Sequence, residues 1–106
     1  MKPHDGKHGD ICPVARVAEL LGDECTLLII RDLLVGDKRF GEIAESLSPI
    51  SSRTITIKLK TLEEKGIITR SEFKERPPRV EYSLTKEGKK LGALVDEMRA
   101  YGKRYL

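Results

Sequence analysis

Between Ser51 and Leu62 the chain carries hydroxyls and bases but not one acid. Projected as a helix, Ser51, Ser52, Arg53, Thr56, Ile57 and Lys60 lie off the stripe formed by Ile55, Leu59 and Leu62. Short hydroxyls and an arginine at the N-terminal end can reach base edges, and bases further along suit phosphates. Ile57 has two readings: its methyls meet a thymine methyl in a major groove, or it fills a local groove of the protein. A second chemistry starts at Cys12. It precedes Pro13 at a helix start and stands four residues before Arg16, and both the helix dipole and a guanidinium favour the nucleophilic thiolate. The alternative for Cys12 is an inert small residue at a cap.

The elements around the basic face explain how it is held. Phe40, Ile43, Ala44 and Leu47 recur at helical spacing, and Ser48-Pro49-Ile50 interrupts them because proline fixes its φ and restricts its predecessor. Ser51 or Ser52 then caps a second helix, which Gly66 stops. A short helix, a tight turn and a longer helix make a helix-turn-helix, with Arg39 at its entrance as a further candidate DNA contact. After Gly66 the period becomes two, giving strands over 67–73 and 80–84. Their connection carries Lys74, Arg76, Pro77, Pro78 and Arg79. A basic hairpin in this position reads as a wing that contacts phosphates or a minor groove through Lys74, Arg76 and Arg79, rather than as a solvated loop.

Upstream, Pro13 to Leu21 is a helix with Val14, Val17, Ala18 and Leu21 on one face, closed by Gly22. Asp23 caps a helix over 24–35 that is apolar almost all round and therefore central, buried by its neighbours and by a second subunit. Cys25, near its start, reads as a small buried residue. Downstream, Thr85 caps the last helix, whose first turns Gly88 weakens. Leu91, Leu94, Met98, Tyr101 and Tyr105 alternate at spacings of three and four, a seam that suits pairing with a partner subunit; Val95 widens it. Packing on the chain's own core is the alternative.

The 106 residues fit one domain, with residues 1–10 expected as a flexible arm and 11–106 as the folded unit. Aromatics are 5% of the chain, so Leu, Ile and Val must build the core. Twenty Lys and Arg against seventeen Asp and Glu leave +3, so the placement of charge matters more than its sum. No apolar run is long enough to span a membrane, the start lacks the apolar stretch of a signal peptide, and two cysteines point to a reducing cytoplasm. His4, His8 and Cys12 are spaced by four, but Pro3, Gly6, Gly9 and Pro13 oppose the helix that would align them, so no metal site is expected. No cofactor is expected either. Both histidines lie in the arm, and no nucleophile triad, phosphate loop or working carboxylate pair is present, which argues against an enzyme. A protein-docking module remains as a competitor; the bases Lys58 and Lys60 and the wing arginines speak against it.

The expected fold is thus mainly α with a small β-hairpin: a winged helix-turn-helix with additional N- and C-terminal helices for dimerisation. The chain resembles the HxlR family of winged-helix transcriptional regulators, relatives of the MarR group. The resemblance rests on Cys12-Pro13-Val14, Gly22, the run Thr26 to Leu34, Arg39-Phe40, Ile50-Ser51, Leu59, Leu62-Glu63, Gly66-Ile67, and Pro77 through Thr85 with Gly88. It implies a homodimer paired through the terminal helices and a double-stranded, pseudo-palindromic operator with two half-sites. It also implies, as in many members, an N-terminal cysteine, here Cys12, that senses quinones, aldehydes or oxidants. The family usually carries Gly-Gly-Lys-Trp where this chain has Gly22-Asp23-Glu24-Cys25. The missing tryptophan alters packing near the dimer core and leaves the inducer open.

Overall fold

The computed structural model describes residues 12–106. The expected arm and the His4 and His8 positions lie outside the described residues. Helix α1 (Pro13–Leu21) begins with proline at its first position, and α2 (Glu24–Val35) begins at Asp23, whose carboxylate accepts the Thr26 backbone N–H at 2.8 Å and its hydroxyl at 3.0 Å. A two-residue strand β1 (Lys38–Arg39) leads into α3 (Phe40–Ser46), and the recognition-type helix α4 (Ser52–Glu64) follows. Of the two serines open as its cap, Ser51 takes the role: its hydroxyl accepts the Thr54 N–H at 3.1 Å. Gly66 ends the helix at φ +76°, a left-handed conformation that glycine adopts without steric cost.

Strands β2 (Ile68–Phe73) and β3 (Arg79–Leu84) form the hairpin. The sheet has three strands rather than two, in the order β1-β3-β2, all antiparallel. Lys38 stands opposite Tyr82 and Arg39 opposite Glu81, so the entrance of the helix-turn-helix is laced to the hairpin. One core joins these pieces. Ile29 and Ile30 of α2, Ile43 of α3, Ile55, Leu59 and Leu62 of α4, and Ile68 of β2 are fully buried against one another. Ile50, held in the turn, packs against the same cluster, as do Leu27, Leu28 and Leu34. Helix α2 is central as expected, although Val35 at its end is 79% exposed.

The expected single C-terminal helix is divided. A short α5 (Lys86–Lys89) ends in a tight turn where the Lys90 and Leu91 amides donate back three residues, to Glu87 and Gly88. Helix α6 (Gly92–Tyr105) then follows. Gly88 is more than a weak helix former: a Cβ there would collide with the Ile67 carbonyl oxygen. The Thr85 hydroxyl, which accepts the Gly88 N–H, donates toward the carbonyls of Gly66 and Ile67, fixing α5 to the start of the hairpin.

Candidate nucleic-acid interface

The outward side of α4 is open along its length. Its buried stripe of Ile55, Leu59 and Leu62 turns Arg53, Thr56, Ile57 and Lys60, spaced by three and four, to the opposite side, where all are exposed with Ser51 and Ser52. Ile57 is 54% exposed and stands outside the hydrophobic core cluster. Among the described residues, Arg53 and Lys60 have no ion-pair partner. Ser51 is less available, because its hydroxyl is occupied by the cap and by a 3.1 Å bond to the Thr54 hydroxyl. Arg39 is exposed at the start of α3, where its backbone N–H donates to Glu42 at 2.8 Å. Arg70, which sequence reasoning passed over, lines a shallow hollow with Lys60, Thr56 and Tyr82 between α4 and the hairpin, but it is bound to Glu72 at 2.9 Å.

Lys58 departs from the expected basic run. One helical step from the open face, its ammonium turns back to the Asp23 carboxylate at 3.2 Å, tying α4 to the cap of α2. Burial pushes the Asp23 carboxyl upward, but the Thr26 N–H, Lys58 and the Thr26 hydroxyl outweigh it and hold its pKa below the usual carboxylate value. Cys25 lies beside this pair, buried. Desolvation, with Asp23 and Glu24, pushes its thiol up, and Lys58 only partly opposes them. Cys12 caps α1, where its sulfur accepts the Ala15 N–H at 3.4 Å, and it is partly exposed.

The wing divides its three bases. Lys74 and Arg76 are exposed at the tip without ion-pair partners among the described residues. Arg79 is not free as expected. Its guanidinium lies 4.2 Å from the centre of the Phe73 ring, with Nη2 3.1 Å from Glu75 and Nε 3.3 Å from Glu81. The Nε–H is not aligned to donate to that carboxylate, so Glu81 acts mainly as a neighbouring charge. Glu75 and Glu81 lie four and two residues away in the chain, whereas Phe73 is brought opposite Arg79 by the hairpin register.

A second open surface lies on α6. Leu94, Met98, Tyr101 and Tyr105 of α6 are between 38% and 62% exposed, and the Tyr101 and Tyr105 rings stack obliquely at 4.9 Å. Leu94 and Met98 share an apolar groove with Val14 and Val17 of α1 and Leu27 of α2. The rest of the expected seam turns inward: Leu91 is half-buried against the chain's own core, and Val95 is buried in it.

An exposed basic recognition helix braced by a three-helix core and followed by a β-hairpin defines a winged helix-turn-helix DNA-binding protein. The chain belongs to the HxlR-like helix-turn-helix family, whose model matches residues 20–106. It is 39% identical over 98 residues to the HTH-type transcriptional regulator sll1512 of Synechocystis, covering 92% of this chain and 73% of that one. Its fold matches the redox regulator HypR in its oxidised form with a TM-score of 0.85 at 33% identity, over 90% of this chain and 98% of HypR. It matches diamide-treated YodB of Bacillus subtilis with a TM-score of 0.73 at 38% identity, over 91% and 96% of the two chains. The protein is a transcriptional regulator with a helix-turn-helix DNA-binding domain, not an enzyme. No helix among the described residues is long and apolar enough to cross a membrane.

Proposed function

We propose that residues 11–106 act as one unit of a cytoplasmic homodimer that binds a pseudo-palindromic operator sequence-specifically. The open α4 face carries this reading. Ser52, Arg53, Thr56 and Ile57 meet base edges, while Lys60, Arg39 and the wing tip meet phosphates. Two such faces come from two subunits, paired through Leu94, Met98, Tyr101 and Tyr105, with Leu91 bracing the helix that carries them. An apolar patch of this kind on a small domain is costly to leave in water. Operator selection with the purified protein should return two half-sites with centres roughly 34 Å apart. Light scattering should report about twice the 11.9 kDa chain mass. An unrelated pool of sequences, or a persistent monomer on DNA, would sink the proposal.

Cys12 is the candidate redox switch. Likeness to the redox regulator HypR supports this, as does a partly exposed sulfur at a helix N-terminus. Oxidation of one Cys12 thiol from each subunit to a disulfide releases two protons and two electrons to an acceptor such as a quinone or diamide. The α1 helices then shift, and the spacing of the two α4 helices shifts with them. DNA affinity should change on diamide treatment and recover with a thiol reductant. A Cys12→Ser protein should show neither change; a response that survives this substitution places the switch elsewhere.

A further inference from the structure

The three wing bases differ in a way their sequence does not show. Lys74 is the middle residue of a three-residue turn closed by the Glu75 N–H donating to the Phe73 carbonyl at 2.9 Å. Arg79, opposite Phe73 in the hairpin register, grips both ends of that turn, stacking on the Phe73 ring and pairing with Glu75. Its side chain is only 26% exposed. With Glu75 and Glu81 both beside it, the cluster carries a net negative charge, which repels a phosphate rather than attracting one. To reach DNA directly, Arg79 would have to give up the ring and both carboxylates.

We infer that Arg79 is a positioning residue of the DNA interface: it clamps Phe73 and Glu75 on either side of Lys74, so that Lys74 is presented to the DNA backbone while Arg79 makes no phosphate contact. The inference rests on the DNA-binding reading and deepens it. The planar guanidinium is essential to the clamp, because only a flat, forked cation covers an aromatic face and reaches a carboxylate beside it. A lysine keeps the charge without the shape.

The test is a double-mutant cycle on binding to labelled random-sequence duplex DNA at several salt concentrations, with thermal unfolding as the check on folding. Lys74→Ala and Arg79→Gln should each weaken binding by about fivefold, and the double variant should be no weaker than either. All three should lower the salt slope by about 0.9, the value for one phosphate contact. Arg79→Lys should behave as Arg79→Gln does. Multiplied losses with a slope change of about 1.8, or an Arg79→Lys protein that binds like the wild type, would make Arg79 a direct contact and overturn the inference. A second readout is independent of affinity. In the DNA-free protein the Arg79 side-chain NMR resonances should be shifted upfield by the Phe73 ring, and the shift should persist when DNA is added. Its absence, or its loss on DNA binding, rejects the clamp. If the wild type binds no duplex, the DNA-binding reading fails on its own, while the ring shift still decides whether Arg79 holds the turn.

Discussion

Helices α4 and α6 have 13 and 14 residues, and each lays one face on the shared core while leaving the other open. On α4 the open face holds hydroxyls, Arg53 and Lys60, with Ile57 as its only large apolar residue. On α6 it holds Leu94, Met98 and two tyrosines. Exposure alone therefore says little about function; the chemistry of what is exposed does. Water solvates the α4 face well, so that face needs a highly charged partner to replace the water. The α6 face is poorly solvated, so an apolar partner covers it with gain.

The largest effect should come from putting a charge on the apolar face. Met98→Asp should yield a monomer by light scattering with its circular dichroism unchanged, since Met98 is 46% exposed. Losing the second recognition helix should weaken operator binding by about a hundredfold, the low end of what linked sites supply. A variant that stays dimeric, or a monomer that binds as tightly, breaks the division of roles between the two helices. The basic face is sharpened next. Arg53→Ala should cost about 1–3 kcal/mol and relax preference at one operator position, whereas Lys60→Ala should weaken all sequences alike and reduce the salt slope by about one unit. Sequence preference that moves with Lys60 and not with Arg53 reverses the assignment.

The two cysteines offer a chemical comparison. Cys12 is partly exposed, while Cys25 is buried with its thiol pushed up by desolvation and by Asp23 and Glu24. Alkylation near neutral pH, followed by mass spectrometry, should label Cys12 at least about ten times faster. Equal labelling would remove Cys12 from its proposed role. The smallest effect belongs to Asp23, which caps α2 and holds Lys58 of α4. Asp23→Ala should cost about 1 kcal/mol in urea unfolding, as for other lost caps. Because the folded-state pKa of Asp23 is depressed, the charge-dependent part of this stabilisation is fully present above the unfolded value. It disappears as pH falls through the lower folded value. A gap between wild type and variant that widens in acid contradicts that sign.

The parts of this molecule legible in the sequence are those set by local rules. Helix α2 begins and ends where Asp23 and Gly36 place it, and α4 runs from its serine cap almost to Gly66, because caps and periodicity act over a few residues. Strand β1 was not legible. Two residues cannot show an alternating pattern, and their partners, Glu81 and Tyr82, stand more than forty positions away in the chain. The break between α5 and α6 carries no proline to announce it; it comes from a tightened turn at Lys90 and Leu91. At the site, the open α4 face followed from helical spacing, but the loss of Lys58 to Asp23 and of Arg79 to Phe73 and Glu75 did not. Asp23 and Phe73 are brought to these side chains only by the fold, and Glu75, four residues from Arg79, meets it at the tip of the wing.

The short strand β1 has a consequence for how an operator is fitted. By pairing with β3 just before α3 begins, it ties the entrance of the helix-turn-helix directly to the hairpin. On the proposed reading, this tie sets the spacing between the base pairs under α4 and the phosphates under the wing. Any mismatch is taken up by the duplex, and operators with easily deformed pyrimidine–purine steps between the two contacts should bind more tightly than stiff ones of the same contacted sequence.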